Sequence, residues 1–491
     1  MLEMLYSTKE VYALEKKIAQ DKKVTMALLM QRAGFALFQS IPKYTNKIII
    51  FIGPGNNGGD GIVAATLLKQ FNYDVEVIYL SPLTKLSSLS KLMFDHAKAL
   101  GVLFKAFSPT YLKQLKLNEN DVIIDALFGI GLSKPPQGNF KKTIDWINQS
   151  SAYTISADCP SGLCANTGAP IEIAVKANLT CQFLSKKQGL YSEVASYYIG
   201  ELIFNDLGIE HTNNYSIKHS VNLLTNDYIE NNRKPRLANS HKGMLGHVLI
   251  IAGDTGMGGA GILNAFAALK SGAGKVTLLT RSEHVTASLS FIPEVMVKGI
   301  DINDNISEYI KAADVIAIGS GMSPKLPWSK HFFELILNAK LTKHKVFDAG
   351  ILHYLASISS LKNNLKNTVI TPHVGEAATL LKTNTQAIES DRFSAIEQLA
   401  TTYNTTSILK GKGTLIQSPK QLPSLCPCGN PYMATAGMGD MLTGIIISYL
   451  AQKYPIQLAC EMAVWDHANK ADRLLKSGQI PMLASEIFNQ I

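Results

Sequence analysis

Short apolar runs closed by glycine or aspartate recur along this chain, separated by segments long enough for helices. Lys47 to Gly53 (KIIIFIG) is such a run, and a continuous apolar stretch of this length suits a strand buried on both faces of a parallel sheet. A loop rich in glycine and asparagine follows, and the spacing then predicts a helix from Gly61 to Gln70. Further buried strands are predicted at Val75 to Leu80, Val122 to Asp125 and Thr154 to Ala157, the alternation of a three-layer α/β domain. Between about Glu210 and Arg236 the periodicity fades into polar sequence, including His211 to Tyr215 and Asn231 to Pro235, which predicts a linker at 213–235. The same logic restarts at Gly246 to Gly253 (GHVLIIAG), followed by a helix at Ala260 to Gly272. Strands are then predicted at Val276 to Leu279, Val315 to Ile318, Lys345 to Asp348 and Thr406 to Leu409, and a helix at Met441 to Leu450. The expected division is one domain at 1–212 and another at 236–491, with no obvious direct repeat between them.

Composition agrees with two folded domains. The chain has 491 residues, too many for one ordinary core, and its 46% hydrophobic and 17% charged usage is globular. A net charge of +9 raises nucleic acid or a membrane surface as partners, but the lysines are scattered or paired (Lys141-Lys142, Lys186-Lys187, Lys410 with Lys412) rather than gathered into a basic stripe. No nucleic-acid partner is expected. No signal peptide and no membrane span are read, and six cysteines without paired CxxC spacing point to a reducing, cytoplasmic setting, with Cys426-Pro-Cys428 a plain loop.

Candidate chemistry collects where strands end. Gly53-Pro-Gly-Asn-Asn-Gly-Gly-Asp-Gly61 lies between a strand and a helix, where free backbone N–H groups can hold a phosphate, although such a loop is equally a structural turn. Asp125, opening Asp125-Ala-Leu-Phe-Gly-Ile-Gly-Leu-Ser-Lys-Pro135, and Asp158, opening Asp158-Cys-Pro-Ser-Gly162, each follow a predicted strand. Two carboxylates beside an asparagine-rich loop can ligate a cation or exchange protons.

These three motifs, in this order over roughly residues 1 to 210, resemble the NAD(P)HX epimerase family, the YjeF N-terminal domain. The resemblance implies that Asn56, Asn57, Gly58, Gly59 and Asp60, with Gly129, Ile130, Gly131, Leu132, Ser133, Lys134 and Pro135, hold a hydrated nicotinamide dinucleotide. It implies a potassium ion among Asn57, Asp125 and Ser161, and substrate contact by Asp158, read here as a catalytic proton carrier at C6 of the hydrated ring. Cys159 stands where Ile or Val is common in the family, and Phe140 sits near a position where some relatives have Tyr.

In the second half, Gly429-Asn-Pro-Tyr-Met-Ala-Thr-Ala-Gly-Met-Gly-Asp440 leads into a helix, an anion-binding arrangement in which Asp440 is either a helix cap or a base beside bound phosphate. Leu409-Lys-Gly-Lys-Gly-Thr414 offers two cations on a flexible turn, and Thr371-Pro-His-Val-Gly-Glu376 a histidine and a carboxylate. Together with HKGxxGHVLIIAG from His241, the GAG turn and PEVMV, these resemble the ADP- or ATP-dependent NAD(P)HX dehydratase family of ribokinase-like fold, over nearly all of the second half. The resemblance implies that Ala260, His373 and Asp440 face the substrate, with Asp440 the catalytic base. Lys410, Gly411, Lys412, Gly413, Thr414 and Gly439 then hold the nucleotide, ADP or alternatively ATP, with Mg2+. Ser320, Ser323, Gly350, Val374 and Ala436 depart from the usual pattern, Gly350 standing where a second acid beside Asp348 is common.

The expected architecture is therefore an N-terminal three-layer Rossmann-like domain followed by a C-terminal ribokinase-like α/β domain. The expected activity is repair of NADHX and NADPHX by a homo-oligomeric protein. A ribokinase-like small-molecule kinase and a non-catalytic binding role for the first half are the alternatives.

Overall fold

Each apolar run that ends in glycine or aspartate becomes an inner parallel strand. The computed structural model describes residues 2–20, 24–209, 217–339, 341–358, 365–480 and 482–488, which divide into two units, 4–220 and 221–491 with residues 1–3. In the first unit the strands are β1 (Lys47–Ile52), β2 (Asp74–Tyr79), β3 (Leu103–Ala106), β4 (Val122–Ala126), β5 (Tyr153–Ala157), β6 (Leu179–Phe183) and β7 (Glu201–Asn205). They form one parallel sheet in the order β3-β2-β1-β4-β5-β6-β7. The order reverses at β1, so the loops after β1 and β4 open at the switch point where open α/β sheets bind ligands. Ile48, Ile49, Ile50 and Phe51 are fully buried, as a strand covered by helices on both faces requires.

The second unit contains β8 (Val221–Leu223), β9 (His247–Ile251), β10 (Lys275–Thr280), β11 (Met296–Gly299), β12 (Val315–Ile318), β13 (His344–Phe347), β14 (Thr368–Ile370), β15 (Thr406–Leu409), β16 (Thr414–Gln417) and β17 (Ser424–Cys426). Their order is β11-β10-β9-β12-β13-β14-β15-β16-β17-β8, parallel except where β16 runs against β15 and β17. The loops after β9, β12, β13 and β14 therefore leave the same sheet edge. The Lys410–Gly413 loop is the turn of the β15–β16 hairpin.

Three readings shift. The first glycine-rich motif is not a loop followed by a helix at Gly61: helix α1 begins at Asn56 and runs to Gln70, with Gly55 as an extended N-cap. Gly58 makes this start possible, because a Cβ there would lie 2.3 Å from the Gly53 carbonyl oxygen. The second shift concerns the linker expected at 213–235. Its first residues, 213–216, lie outside the described residues, but β8 pairs with β17, the Asn226–Asn232 helix follows, and Arg233 bridges to Asp466 at 2.5 Å. Third, Cys426 ends a strand instead of lying in a loop. No helix among the described residues is long and apolar enough to cross a membrane.

Two candidate active sites

In the first unit, β1 and β4 deliver α1 and Asp125 to one place. Asp125 is fully buried, and its carboxylate accepts from the Ser161 amide at 2.8 Å, the Ser156 hydroxyl at 2.9 Å and the Ser161 hydroxyl at 2.5 Å. Burial pushes its carboxyl up, against the pull of these donors. Asn57, in the first turn of α1, is buried, yet neither its Oδ1 nor its Nδ2 has a hydrogen-bond partner among the described residues. Buried amides are nearly always paired, so this orphan asks for a ligand. The 129 position lies against it, a Cβ at Gly129 falling 3.7 Å from Asn57 Oδ1. Gly129 to Pro135 form an irregular and largely exposed loop, while Phe140 packs tilted against Phe128 at 4.6 Å between ring centroids.

Asp158 follows β5 with φ of 62°, a left-handed backbone that a non-glycine residue adopts at a cost and that recurs at functional sites. Its Oδ1 accepts from the Phe183 amide at 3.0 Å and from the Lys187 ammonium. Lys187 is itself buried and also donates to the Phe183 carbonyl at 2.5 Å. Asp60 and Glu15 lie within electrostatic reach of this pair. Burial, then repulsion from Asp158 and Glu15, pushes the Asp60 carboxyl well up, and burial followed by Asp158 pushes Glu15 up to about 7. The structure thus brings Asp60 and Asp158 together, and adds Lys187, Glu15 and Tyr12. The Lys186-Lys187 pair read only as scattered charge; nothing local in the sequence signals that Lys187 is buried.

The second site assembles at the carboxyl edge of β12, β13 and β14. Asp348, after β13, is buried and accepts from Thr371 at 2.6 Å, Lys410 at 3.1 Å and Thr443 at 3.1 Å. Lys410 also lies 3.8 Å from Glu376, and although burial lowers it, the two carboxylates outweigh that and its ammonium pKa is raised. Helix α2 (Gly258–Lys270) contributes Ala260, a Cβ at Gly321 falling 2.8 Å from its methyl. Helix α3 (Val374–Leu381) is capped by His373, whose Nδ1 accepts from the Gly375 amide at 3.0 Å while Glu376 accepts from the His373 amide at 2.8 Å. The exposed His373 ring is therefore first of all a helix cap.

Helix α4 (Met438–Ala451) starts from Gly437 at φ of 89°, and no side chain caps it, so its first amides stay available for an anion. Gly439 lies beside the cation, a Cβ there falling 3.5 Å from Lys410 Nζ. Asp440 stands in the first turn, and burial, with repulsion from Asp348, raises its carboxyl to about 6 despite the Ser320 hydroxyl and Lys410. Ser320, a departure in the motif, is buried and is a hydrogen-bond partner of Asp440. At Gly350, where an acid is common, a Cβ would lie 2.0 Å from the Met322 carbonyl oxygen, so this backbone admits glycine alone. Of the hairpin turn, Lys410 is drawn into the site and Lys412 is exposed. Helix α5 (Ile456–Lys476) adds buried His467, whose pKa burial and then Lys410 lower to about 4.

Residues 26–189 match the YjeF-related protein N-terminus family and residues 248–491 the NAD(P)H-hydrate dehydratase family. The chain is 36% identical over 490 residues to the bifunctional NAD(P)H-hydrate repair enzyme of Coxiella burnetii, covering 99% of this chain and 98% of that one. It is 37% identical over 488 residues to the enzyme of the same name from Vibrio cholerae, covering 98% and 96%. Among solved structures, a ribokinase-like superfamily protein from Enterococcus faecalis matches at 26% identity and a TM-score of 0.51, covering 54% of this chain and 92% of that one. With nearly its whole length aligned to these relatives and both family models matched, this chain belongs to the bifunctional NAD(P)H-hydrate repair enzymes.

Proposed function

We propose that the first unit interconverts the R and S forms of hydrated NADH and NADPH at Asp158, and that the second dehydrates the S form at Asp440 with ADP, or alternatively ATP, as co-substrate. The observation that carries this reading is Asp440 in the first turn of an uncapped helix whose Gly439 adjoins the Lys410 ammonium: a base beside an anion site. Asp440 takes the proton from the C6 hydroxyl as that oxygen attacks the terminal phosphorus of the nucleotide and the phosphoanhydride P–O bond breaks. Phosphate then leaves C6 with the C–O electron pair. A proton leaves C5, and the C5=C6 double bond of the dihydronicotinamide is restored. Lys410 and the α4 amides balance the charge that builds on the transferred group. Substrate contact by Ala260 and His373, and nucleotide contact by Gly411, Lys412, Gly413 and Thr414, belong to the same proposal.

The unpartnered Asn57 amide, Asp125 and Ser161 form an all-oxygen donor set that fits a potassium ion, which would supply positive charge beside the dinucleotide loops. Magnesium would arrive on the nucleotide, held mainly by its phosphates, since among the described residues no three His, Cys, Asp or Glu side chains group for a metal. All six cysteines are free, which supports a reducing compartment, the cytoplasm.

The test supplies purified R and S hydrates of NADH and NADPH to the full chain, without nucleotide, with ADP and with ATP. The expected result is R–S interconversion without nucleotide and nucleotide-dependent recovery of dihydronicotinamide absorbance from the S form. Phosphorylation of unrelated alcohols with no action on the hydrates would overturn the reading. Because Asp440 must be ionised to accept a proton and its carboxyl sits at about 6, dehydration is expected to fall as pH drops through that value; a pH–rate profile of S-form dehydration checks it. Replacing potassium with tetramethylammonium is expected to slow epimerisation and leave dehydration unchanged, as read by chromatography of the two hydrates.

A further inference from the structure

The site around Asp158 contains a helix that lies outside the residues matched to either family. The match to the first unit begins at residue 26, whereas the Thr8–Gln20 helix precedes it. Three contacts fix this helix against the site. Leu5 and Tyr6, just before it, pair in parallel with Lys186 and Lys187, so the helix starts beside the lysine that bridges Asp158. Its first turn is tied down by the Thr8 amide donating to Asn166 Oδ1 at 2.8 Å, while Asn166 Nδ2 donates to the Thr8 hydroxyl at 3.1 Å. Further along, the Tyr12 hydroxyl lies 2.7 Å from where a Cβ at Gly131 would sit, over the loop proposed to hold the dinucleotide.

Val11, Leu14 and Ile18 bury one stripe of the helix, and Tyr12 and Glu15, one turn apart, share the flank that faces Asp158. Glu15 from this helix, Asp60 from α1 and Asp158 after β5 then share one cation, Lys187. One ammonium cannot neutralise three half-buried carboxylates, so a proton is retained among them.

We infer that Glu15 is the proton donor of the epimerase and that Tyr12 closes the site over the dinucleotide loop. This rests on the reading of the first unit as an epimerase. Protonated Glu15 gives its proton to the C6 hydroxyl, the C6–O bond breaks with its electron pair leaving as water, and the N1 lone pair forms a C6=N1 iminium. Water then adds to C6 from the other face, the N1 lone pair is restored, and the released proton returns to the carboxylate cluster. No oxidant or reductant is consumed. Lys187 acts as a positioning residue through Asp158.

Burial and the facing groups Asp158 and Lys187 set Glu15 at about 7, with Tyr12 on its own helix and Asp60 on α1 completing the titratable surroundings. A donor must be protonated, so the reaction slows as pH rises through that value. The experiment follows S hydrate formed from purified R hydrate by the full chain, without nucleotide, across the neutral pH range. The unsubstituted chain is expected to lose rate on the alkaline side. Glu15→Gln is expected to lower the rate by about a hundredfold or more and to abolish that alkaline limb. Glu15→Asp, which keeps a carboxyl on a shorter arm, is expected to retain the limb at reduced rate, and thermal melting checks that both variants fold. A folded E15Q chain with the unsubstituted rate and profile, or a folded E15D chain without the limb, overturns the proposal alone. No acceleration by the unsubstituted chain overturns the epimerase reading itself.

Discussion

Asp440→Asn is expected to lower nucleotide-dependent dehydration of the S hydrate by about a hundred- to ten-thousand-fold, the contribution of a positioned general base, while R–S interconversion proceeds unchanged. The substitution keeps shape and removes only the proton acceptor. It also removes a carboxylate that Asp348 repels, so the fold of the second unit is not expected to weaken. In the proposed reading the nucleotide is held by Lys410 and the free amides of α4, and Lys410 keeps Asp348 and Glu376 as its carboxylate partners without Asp440. Comparing kcat with the KM for ADP separates the two roles: a fall in kcat at unchanged KM is expected. A variant that kept the unsubstituted rate of absorbance recovery would reduce Asp440 to a helix-terminal residue and leave the second unit without a base.

The second large effect is expected from Asp158→Asn. Interconversion of the hydrates should fall by about a hundredfold or more, and here stability falls as well. Lys187 is 1% exposed and Asp158 is its hydrogen-bonded carboxylate partner, so the amide leaves a buried ammonium with the Phe183 carbonyl and only the more distant Glu15 and Asp60 as counter-charge. Breaking a buried pair by removing one partner typically costs about 3–5 kcal/mol. Changing both members, Asp158→Asn with Lys187→Met, is expected to recover much of the stability and none of the activity. Urea unfolding followed in parallel with chromatography of the hydrates distinguishes this from a purely structural pair, for which the double variant would regain both.

The contrast between the two aspartates marks what was legible. Asp440 was visible in the sequence because its motif is local: glycines, a helix start and the residue itself lie in one stretch. The inner strands were visible for a similar reason. Ile48 to Ile52 and Val248 to Ile251 are buried on both faces, and continuous apolar runs announce that. Edge strands β3, β7 and β11 are half-exposed and mixed in composition, so no run or alternation marked them. The start of α1 at Asn56 was hidden because glycine and asparagine read as a loop, and only the close approach of Gly58 to Gly53 shows why small residues are needed in that first turn.

The sequence by itself determined two α/β units, the order of their strands' chemistry and the loops that carry it, since these depend on neighbours along the chain. Tertiary structure alone decided which distant groups share a charge. Lys187, just after β6, meets Asp158 at the end of the neighbouring β5, Glu15 arrives on the Thr8–Gln20 helix, and Ser320 reaches Asp440 from the end of β12. The physical reason is that a carboxylate's proton affinity depends on burial and on charges close in space, and neither is written into the spacing of residues along the chain.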